Sequence, residues 1–375
     1  MDELDQAIRG SNAAAYVVYA SSADASMRYL SHFVTTDPVL FVKRPGERGQ
    51  IVVSQMEIER AARESVAVPI TRADARYLEF LKEEGNPTRA LARTIAHLAS
   101  GDVLVPSSFP LGLARELESF CRVSVDADTV EALRAVKQAG EIAAITQVQR
   151  AAESAIDRAI RMIRASKARD GVLQYEGEPL TSERVRFAMH VDLLSHGCRA
   201  DDTIVSCGPD SALPHLAGSG PLLENEPIVI DLFPRAESSG YYADMTRTVV
   251  KGEPDPRILE MHQAVHEAKM QSMARIRAGV PGPDVYQFVV DLFKERGYTS
   301  DGEGFMHNLG HGIGLEVHER PTMGPAGKAL VAGNVVTVEP GLYYRGIGGI
   351  RIEDLGVVTG GGFDLVTRYP EDLVV

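Results

Sequence analysis

Four acidic residues stand in or beside apolar, β-like runs. Asp231 closes "IVID", Asp244 opens "DMTRTVV", Glu339 closes "VVTVE", and Glu353 lies within "IRIEDLGVV". A bare carboxylate in such a run is costly unless something compensates it. The acids come as two pairs, thirteen and fourteen residues apart, each across turn-forming residues: Pro234, Ser238, Ser239 and Gly240 in the first, several glycines in the second. Two hairpins built this way bring the members of each pair together across paired strands. Arg247 and Arg351 are the nearby cations that could neutralise a single acid. Two arginines do not balance four carboxylates, whereas two divalent cations do.

A fifth group comes from "HNLGHGIGLEVHERP", His307 to Pro321. His311 lies between glycines in "GHGIG", where the backbone can bend and approach other chain segments closely. As a neutral imidazole it completes a set of four carboxylates and one nitrogen. Such a set, without thiolate, suits Mn, Co, Zn or Fe, and manganese is placed first. His318, seven residues on, reaches the substrate side of the same site.

The elements that must hold these groups repeat in outline. A long helical pattern covers Lys137 to Arg164, with Ile142, Ile145, Ala152, Ile156, Ile160 and Ile163 near one stripe. A second helix runs from "TSERV" to Gly197, followed by a segment with His215 and the first acid-bearing hairpin. Then the order recurs. A helix opens at "PDP" and ends near Gly279, and "PDVYQFVVDLFKERG" forms another, with Val285, Phe288, Val289, Leu292 and Phe293 on one face. The histidine-rich segment and the second hairpin complete it. The expectation is an α+β domain of two pseudo-symmetric halves packed about a shared site.

Before this region, strands and helices alternate. "AAYVVYA" reads as a strand, "PVLFVKRPGERGQIVVSQ" as a hairpin, "TRALARTIAHLASG" as a helix and "DVLVPSS" as another strand. That predicts a smaller α/β domain over residues 1–127, with 128–375 as the second domain. At 375 residues, two cores are expected. The net charge of −13 argues against nucleic acid or an anionic membrane surface as partner. Three cysteines without CxxC spacing, no signal-like start and no long apolar run point to a cytoplasmic protein.

With these residues in place, the C-terminal region resembles the pita-bread metallopeptidases, the family of methionine aminopeptidase, Xaa-Pro aminopeptidase and prolidase (Xaa-Pro dipeptidase). "PHLAG", "DLF…GYYADMTRT", "HNLGHGIGLEVHERP", "TVEPGLY" and "GIRIEDLGVVT" carry the likeness, in order, over most of residues 130–375. The resemblance implies a pseudo-symmetric pita-bread (creatinase/aminopeptidase) fold. It places Asp231, Asp244, His311, Glu339 and Glu353 on five metal-ligand positions, Asp244 and Glu353 bridging two ions. His215 and His318 fall on two active-site histidines that bind no metal, and Arg351 and Tyr343 match an arginine and a tyrosine of the Xaa-Pro branch. Residues 1–127 resemble the creatinase-type domain of that branch through "MRYLSHF", "IVVSQMEIERA" and the linker "LRAVKQAGEI". Methionine aminopeptidases lack such a domain. The first hairpin is about two residues longer than is common, and Phe233 stands where a glycine usually follows.

The activity so implied is hydrolysis of the N-terminal Xaa-Pro bond of dipeptides or short peptides by a metal-bridging hydroxide. Glu339 would shuttle the proton, and the family's Xaa-Pro members are often homodimers. Arg320, Lys328 and Arg345 are candidates for binding a dipeptide's carboxylate. A creatinase-like hydrolase of a small non-peptide substrate and a non-catalytic binding module on the same fold are the alternatives, and the intact ligand set speaks against both. The remaining histidines read as structural or solvated: His32, His97, His190, His196, and the His262/His266 pair. His307, four residues before His311, is a candidate for shaping the pocket.

Overall fold

The computed structural model describes residues 2–375. The chain separates into two compact units, Met1–Arg134 and Ala135–Val375. The first runs past residue 127 because Val130 and Leu133, on the helix Thr129–Ala135, pack into its core.

The N-terminal unit is a six-stranded mixed sheet. Its order is Val68–Thr71, Gln50–Val53, Val39–Lys43, Ala15–Ala20, Val103–Pro106, Val123–Asp126. The expected hairpin is there, Val39–Lys43 lying antiparallel to Gln50–Val53. Alternate side chains of each strand feed opposite faces. Tyr16, Val18, Phe41, Ile51 and Val53 enter one core, and Ala15, Val17, Leu40, Val42 and Val52 the other. The helix Pro87–Ala99 starts at an Asn86 cap and stops at Ser100, whose left-handed backbone turns the chain into the next strand. His97 meets the Phe80 ring edge-on, and His32 caps the helix Ala25–Ser31.

In the C-terminal unit the two halves follow the same plan. The first has helices Ala139–Ala165 and Ser182–Ser195 over a sheet of Ile204–Cys207, Pro227–Leu232 and Met245–Val250. The second has helices Pro256–Met273 and Gly282–Glu295. Its sheet runs Glu319–Met323, Gly310–Gly312, Val335–Val338, Asp354–Val358, Phe363–Leu365. The second helix of each half buries residues at the same intervals: Val185, Met189 and Leu193 in one, Val285, Val289 and Phe293 in the other. The helix Pro256–Met273 ends well before Gly279. Ile276 turns into the core, and the Ala278 and Gly279 amides donate to the carbonyls of Thr359 and Leu330, which pulls the chain out of the helix. No helix among the described residues is long and apolar enough to cross a membrane.

The acids stand at the breaks of these strands. Asp231 lies within its strand opposite Thr246, and Asp244 is one residue ahead of its own. Glu339 follows Val335–Val338, and Glu353 sits between Gly348–Arg351 and Asp354–Val358. The expected turn between these two glutamates is itself a hairpin, Gly341–Tyr344 paired with Gly348–Arg351. The longer first loop is pinned by short pairings of Arg235–Ala236 with Cys198–Arg199 and of Arg235 with Tyr242. The Tyr242 amide also donates to the Gly314 carbonyl at 2.8 Å, tying that loop to the histidine segment.

The glycines flanking His311 serve close approach. A Cβ on Gly310 would lie 2.0 Å from the Thr337 carbonyl oxygen, and one on Gly312 would lie 2.1 Å from that of Arg320. Both obstacles are backbone and cannot swing aside. We predict that Gly312→Ala destabilises the protein by about 1–3 kcal/mol or more, the usual cost of overpacking. Urea unfolding checks this, and a change within experimental error would show that the strand can part.

Candidate metal centre

The two hairpins meet at the seam between the halves, closed by the Glu353 amide donating to the Thr246 carbonyl at 3.1 Å. Asp244, His311 and Glu353 each present a ligand atom within 4.8 Å of the others, and all three residues are buried. Glu339 joins them, its Oε1 3.4 Å from His311 Nε2, which lies 3.7 Å from Asp244 Oδ2. The His311 Nδ1–H donates to the Gly312 carbonyl at 3.0 Å, so its Nε2 lone pair faces the carboxylates. Burial, and then the neighbouring His318, push the imidazole's pKa down to about 3, which keeps it neutral.

Asp231 lies at the edge of this group. Its Oδ1 accepts from the Thr246 hydroxyl at 3.0 Å and its Oδ2 from Arg351 Nη2 at 2.5 Å. Thr246 Oγ1 also lies 2.7 Å from Glu353 Oε2, while Arg351 Nε donates to it at 3.1 Å. One hydroxyl thus touches an acid from each half. Nothing in its residue type marked Thr246; its place two residues after Asp244, on the same face of the strand, was the available signal.

Of the two arginines that could balance the acids, only Arg351 faces them. Arg247 turns to the opposite side and pairs with Asp354 at 2.8 Å. One guanidinium among four carboxylates leaves a strong imbalance. Burial and then Glu353, Asp231 and Glu339 raise the pKa of Asp244 well above the usual carboxylate range. Burial, followed by Glu353, does the same to Glu339, and burial with Asp231 pushes Glu353 up to about 8. Asp244 Oδ1 and Glu353 Oε1 are buried without a hydrogen-bond partner. Two orphaned carboxylate oxygens, a free imidazole lone pair and clustered negative charge suit divalent cations bound by oxygen and one nitrogen.

Around this group runs a chain of hydrogen bonds. Arg351 Nη1 donates to the Tyr343 hydroxyl at 2.8 Å, and that hydroxyl is 3.0 Å from His307 Nε2. His307 Nδ1–H is held by the Asn308 carbonyl at 2.8 Å, so Tyr343 donates to the ring. Burial and the adjacent Arg351 lower the His307 pKa to about 4, and burial raises that of Tyr343 to about 12. His307 therefore belongs to the site's framework. The His318 ring lies edge-on to His311, centroids 4.3 Å apart, at an exposed position. Its turn is organised by Glu319, whose Oε1 accepts from the Leu315 and Glu316 amides and whose Oε2 meets buried Lys137 at 3.2 Å. His215 lies in an exposed loop, and burial, then the neighbouring His215, lowers the pKa of His318.

Of the three candidate carboxylate binders, Arg320 is half-buried two residues after His318, while Lys328 and Arg345 are exposed. The His262/His266 pair binds Glu371, His262 Nε2 at the carbonyl (3.1 Å) and His266 Nε2 near the carboxylate (3.4 Å). His190 bonds the Thr203 hydroxyl, and His196 is exposed.

Comparison with known proteins accords with this architecture. The chain is 31% identical over 340 residues to the Xaa-Pro dipeptidase of Pyrococcus horikoshii, covering 88% of this chain and 86% of that one. The Xaa-Pro dipeptidase structure from Bacillus anthracis superposes with a TM-score of 0.84 at 25% identity, over 100% of this chain and 98% of that chain. The X-Pro aminopeptidase structure from Thermotoga maritima gives a TM-score of 0.82 at 29% identity, over 99% and 100%. The pattern of metallopeptidase family M24 matches residues 143–360, the stretch that holds every acid and histidine of the centre. Its fold is the pita-bread fold preceded by an α/β unit, and the chain belongs to metallopeptidase family M24.

Proposed function

We propose that this chain is an exopeptidase with two divalent metal ions, manganese first among candidates, that hydrolyses the N-terminal Xaa-Pro bond of dipeptides or short peptides. The observation that carries the metal reading is the buried group Asp244, His311 and Glu353, with two carboxylate oxygens left unpaired. Specificity for proline rests on the relatives, an Xaa-Pro dipeptidase and an X-Pro aminopeptidase. The first unit, expected over 1–127 and observed as Met1–Arg134, is assigned as a creatinase/prolidase-type domain, and Ala135–Val375 as the catalytic domain. Free Cys121, Cys198 and Cys207 support a cytoplasmic setting, and a homodimer is proposed on the family's habit.

Asp231, Asp244, His311, Glu339 and Glu353 would hold the ions, and Asp244 and Glu353 would be the acids shared between them. Bound there, divalent cations acidify water and polarise a carbonyl. Glu339, at the rim of the group and beside His311, would pass a proton from water to the leaving nitrogen. His318 and His215, outside the ligand group, would hydrogen-bond the substrate carbonyl as charge develops on it. Arg351 fixes Asp231 by a charge-assisted bond, and Tyr343 with His307 holds that guanidinium in place. A proline nitrogen carries no N–H and sits on a restricted backbone, which explains a dedicated enzyme for the bond before it.

The direct test adds Mn, Co or Zn to metal-stripped protein and compares Xaa-Pro dipeptides with Xaa-Pro-Yaa tripeptides. Metal-dependent cleavage is expected; metal-independent turnover of a small non-peptide substrate would favour the creatinase-like reading. Asp244→Ala and Glu353→Ala should each abolish activity and two-metal stoichiometry, and a variant keeping both ions with near-normal turnover would end the dinuclear assignment. His318→Ala should keep its metal while kcat falls about 10²–10³-fold, the usual loss for one such donor. A parallel fall in metal content would make His318 a ligand. Arg320→Ala should raise KM for a dipeptide and spare a tripeptide; equal effects on both would move the carboxylate site to Lys328 or Arg345.

A further inference from the structure

The strands that carry the acids have a second charge cluster on their other face. Arg247 uses all five of its N–H donors there. Nε donates to the Pro370 carbonyl at 2.8 Å, and Nη1 to the carbonyls of Thr246 (2.9 Å) and Glu353 (2.8 Å). Nη2 donates to Asp354 Oδ1 at 2.8 Å and to the Tyr369 carbonyl at 2.9 Å. Lys269, fully buried on the helix Pro256–Met273, pairs with both Asp354 and Glu371. Two cations and two anions make the cluster neutral.

Residues 366–375 close it as a strap. Thr367 Oγ1 accepts from the Leu355 amide (2.8 Å) and from Gln149 Nε2 (3.2 Å). The Arg368 amide donates to Glu153 at 2.6 Å and the Tyr369 hydroxyl to Asp157 at 3.1 Å. Past the cluster, the amides of Val250 and Val375 exchange bonds with the carbonyls of Leu373 and Val250.

We propose that the Arg247–Asp354–Lys269–Glu371 cluster and this strap are positioning residues of the metal centre, setting from behind the distance between Asp244 and Glu353. This rests on the dinuclear reading above. Asp244 immediately precedes a strand of the first half and Glu353 lies between two strands of the second, so their separation is not fixed within either sheet. Arg247 spans that seam, holding the Thr246 and Glu353 carbonyls on one guanidinium, while Thr246 Oγ1 meets the Glu353 side chain from the other face. The strap occupies two further donors of the same group. Loosening it leaves Arg247 free to tilt, and the seam with it.

Two variants test this, Arg247→Lys and Glu371→Ala. Lysine keeps the charge opposite Asp354 but cannot reach both carbonyls and the strap. Glu371 is partly exposed, and removing its side chain leaves buried Lys269 paired with Asp354. Metal-stripped protein is titrated with Co²⁺ alone and followed by the visible ligand-field bands, below the unfolding temperature of each variant. Wild type should bind two ions. Each variant should keep its far-UV circular dichroism, bind one Co²⁺ about 10–100-fold more weakly, the usual effect of removing a partner behind a ligand, and shift its bands; Glu371→Gln should fall between. Wild-type titration and bands in Glu371→Ala, whatever its Tm, would overturn the proposal, and Glu371→Ala decides alone if Arg247→Lys fails to fold. A wild type that binds no second Co²⁺ would instead fail the dinuclear reading, and this inference with it.

Discussion

Like charge held inside a folded chain is the constraint on which the C-terminal unit turns. Asp231, Asp244 and Glu353 are buried and Glu339 nearly so, with Arg351 the one guanidinium that hydrogen-bonds an acid of this group among the described residues. Removing carboxylates from water costs several kcal/mol each after relaxation, by order of magnitude, and attraction repays this only with well-placed partners. Each half contributes two acids, so neither half balances its own. The pseudo-symmetric pairing of hairpins, the close approach at Gly310 and Gly312 and the Thr246 bridge all follow from gathering these charges at one seam.

Strand alternation decides which neighbours take part. Successive side chains on a strand point to opposite faces. Thr246 faces the acids and Arg247 faces away; Arg351 and Glu353 face the centre and Asp354 faces away. Burial favours a raised pKa for Asp354, yet Arg247 and Lys269 outweigh it and hold the carboxyl below its usual range. One seam therefore carries an acid group with a single guanidinium on one face and a charge-balanced cluster on the other. Adjacent acids, Glu353 and Asp354, end in opposite electrostatic states.

Much of this was legible in the sequence. The acids showed themselves by breaking apolar runs, and their duplicated spacing disclosed the two halves. Helices with clear periodicity, such as Ala139–Ala165 and Gly282–Glu295, lie where their patterns put them. What escaped was of a different physical kind. Arg247 looked like a partner for the acids because proximity in sequence ignores which face a side chain takes; counting residues from Asp244 would have sent it to the far side. The helix after "PDP" is shorter than its pattern suggests, since its end is set by carbonyls of Leu330 and Thr359, distant in sequence. His266 is exposed as expected, but His262 reads as solvated only because its partner, the Glu371 carbonyl, lies more than a hundred residues on. Thr246 and the Lys137–Glu319 pair are ordinary residue types made consequential only by what the fold brings beside them.

The unpaired oxygens weigh on the choice among functions. A buried polar atom left without a partner costs about 1–3 kcal/mol, more when charged, whereas apolar replacements for buried charges are often neutral or stabilising. A fold serving only as a binding surface, or working on a small molecule without metal, has no physical reason to keep Asp244 Oδ1 and Glu353 Oε1 enclosed and unsatisfied. A pair of cations would remove that cost by supplying both the missing bonds and the missing charge. Cations bound there would also tie strands of two sheets together where backbone pairing is sparse. Metal binding and the cohesion of the two halves are on this view one interaction, which is why the centre sits at the seam.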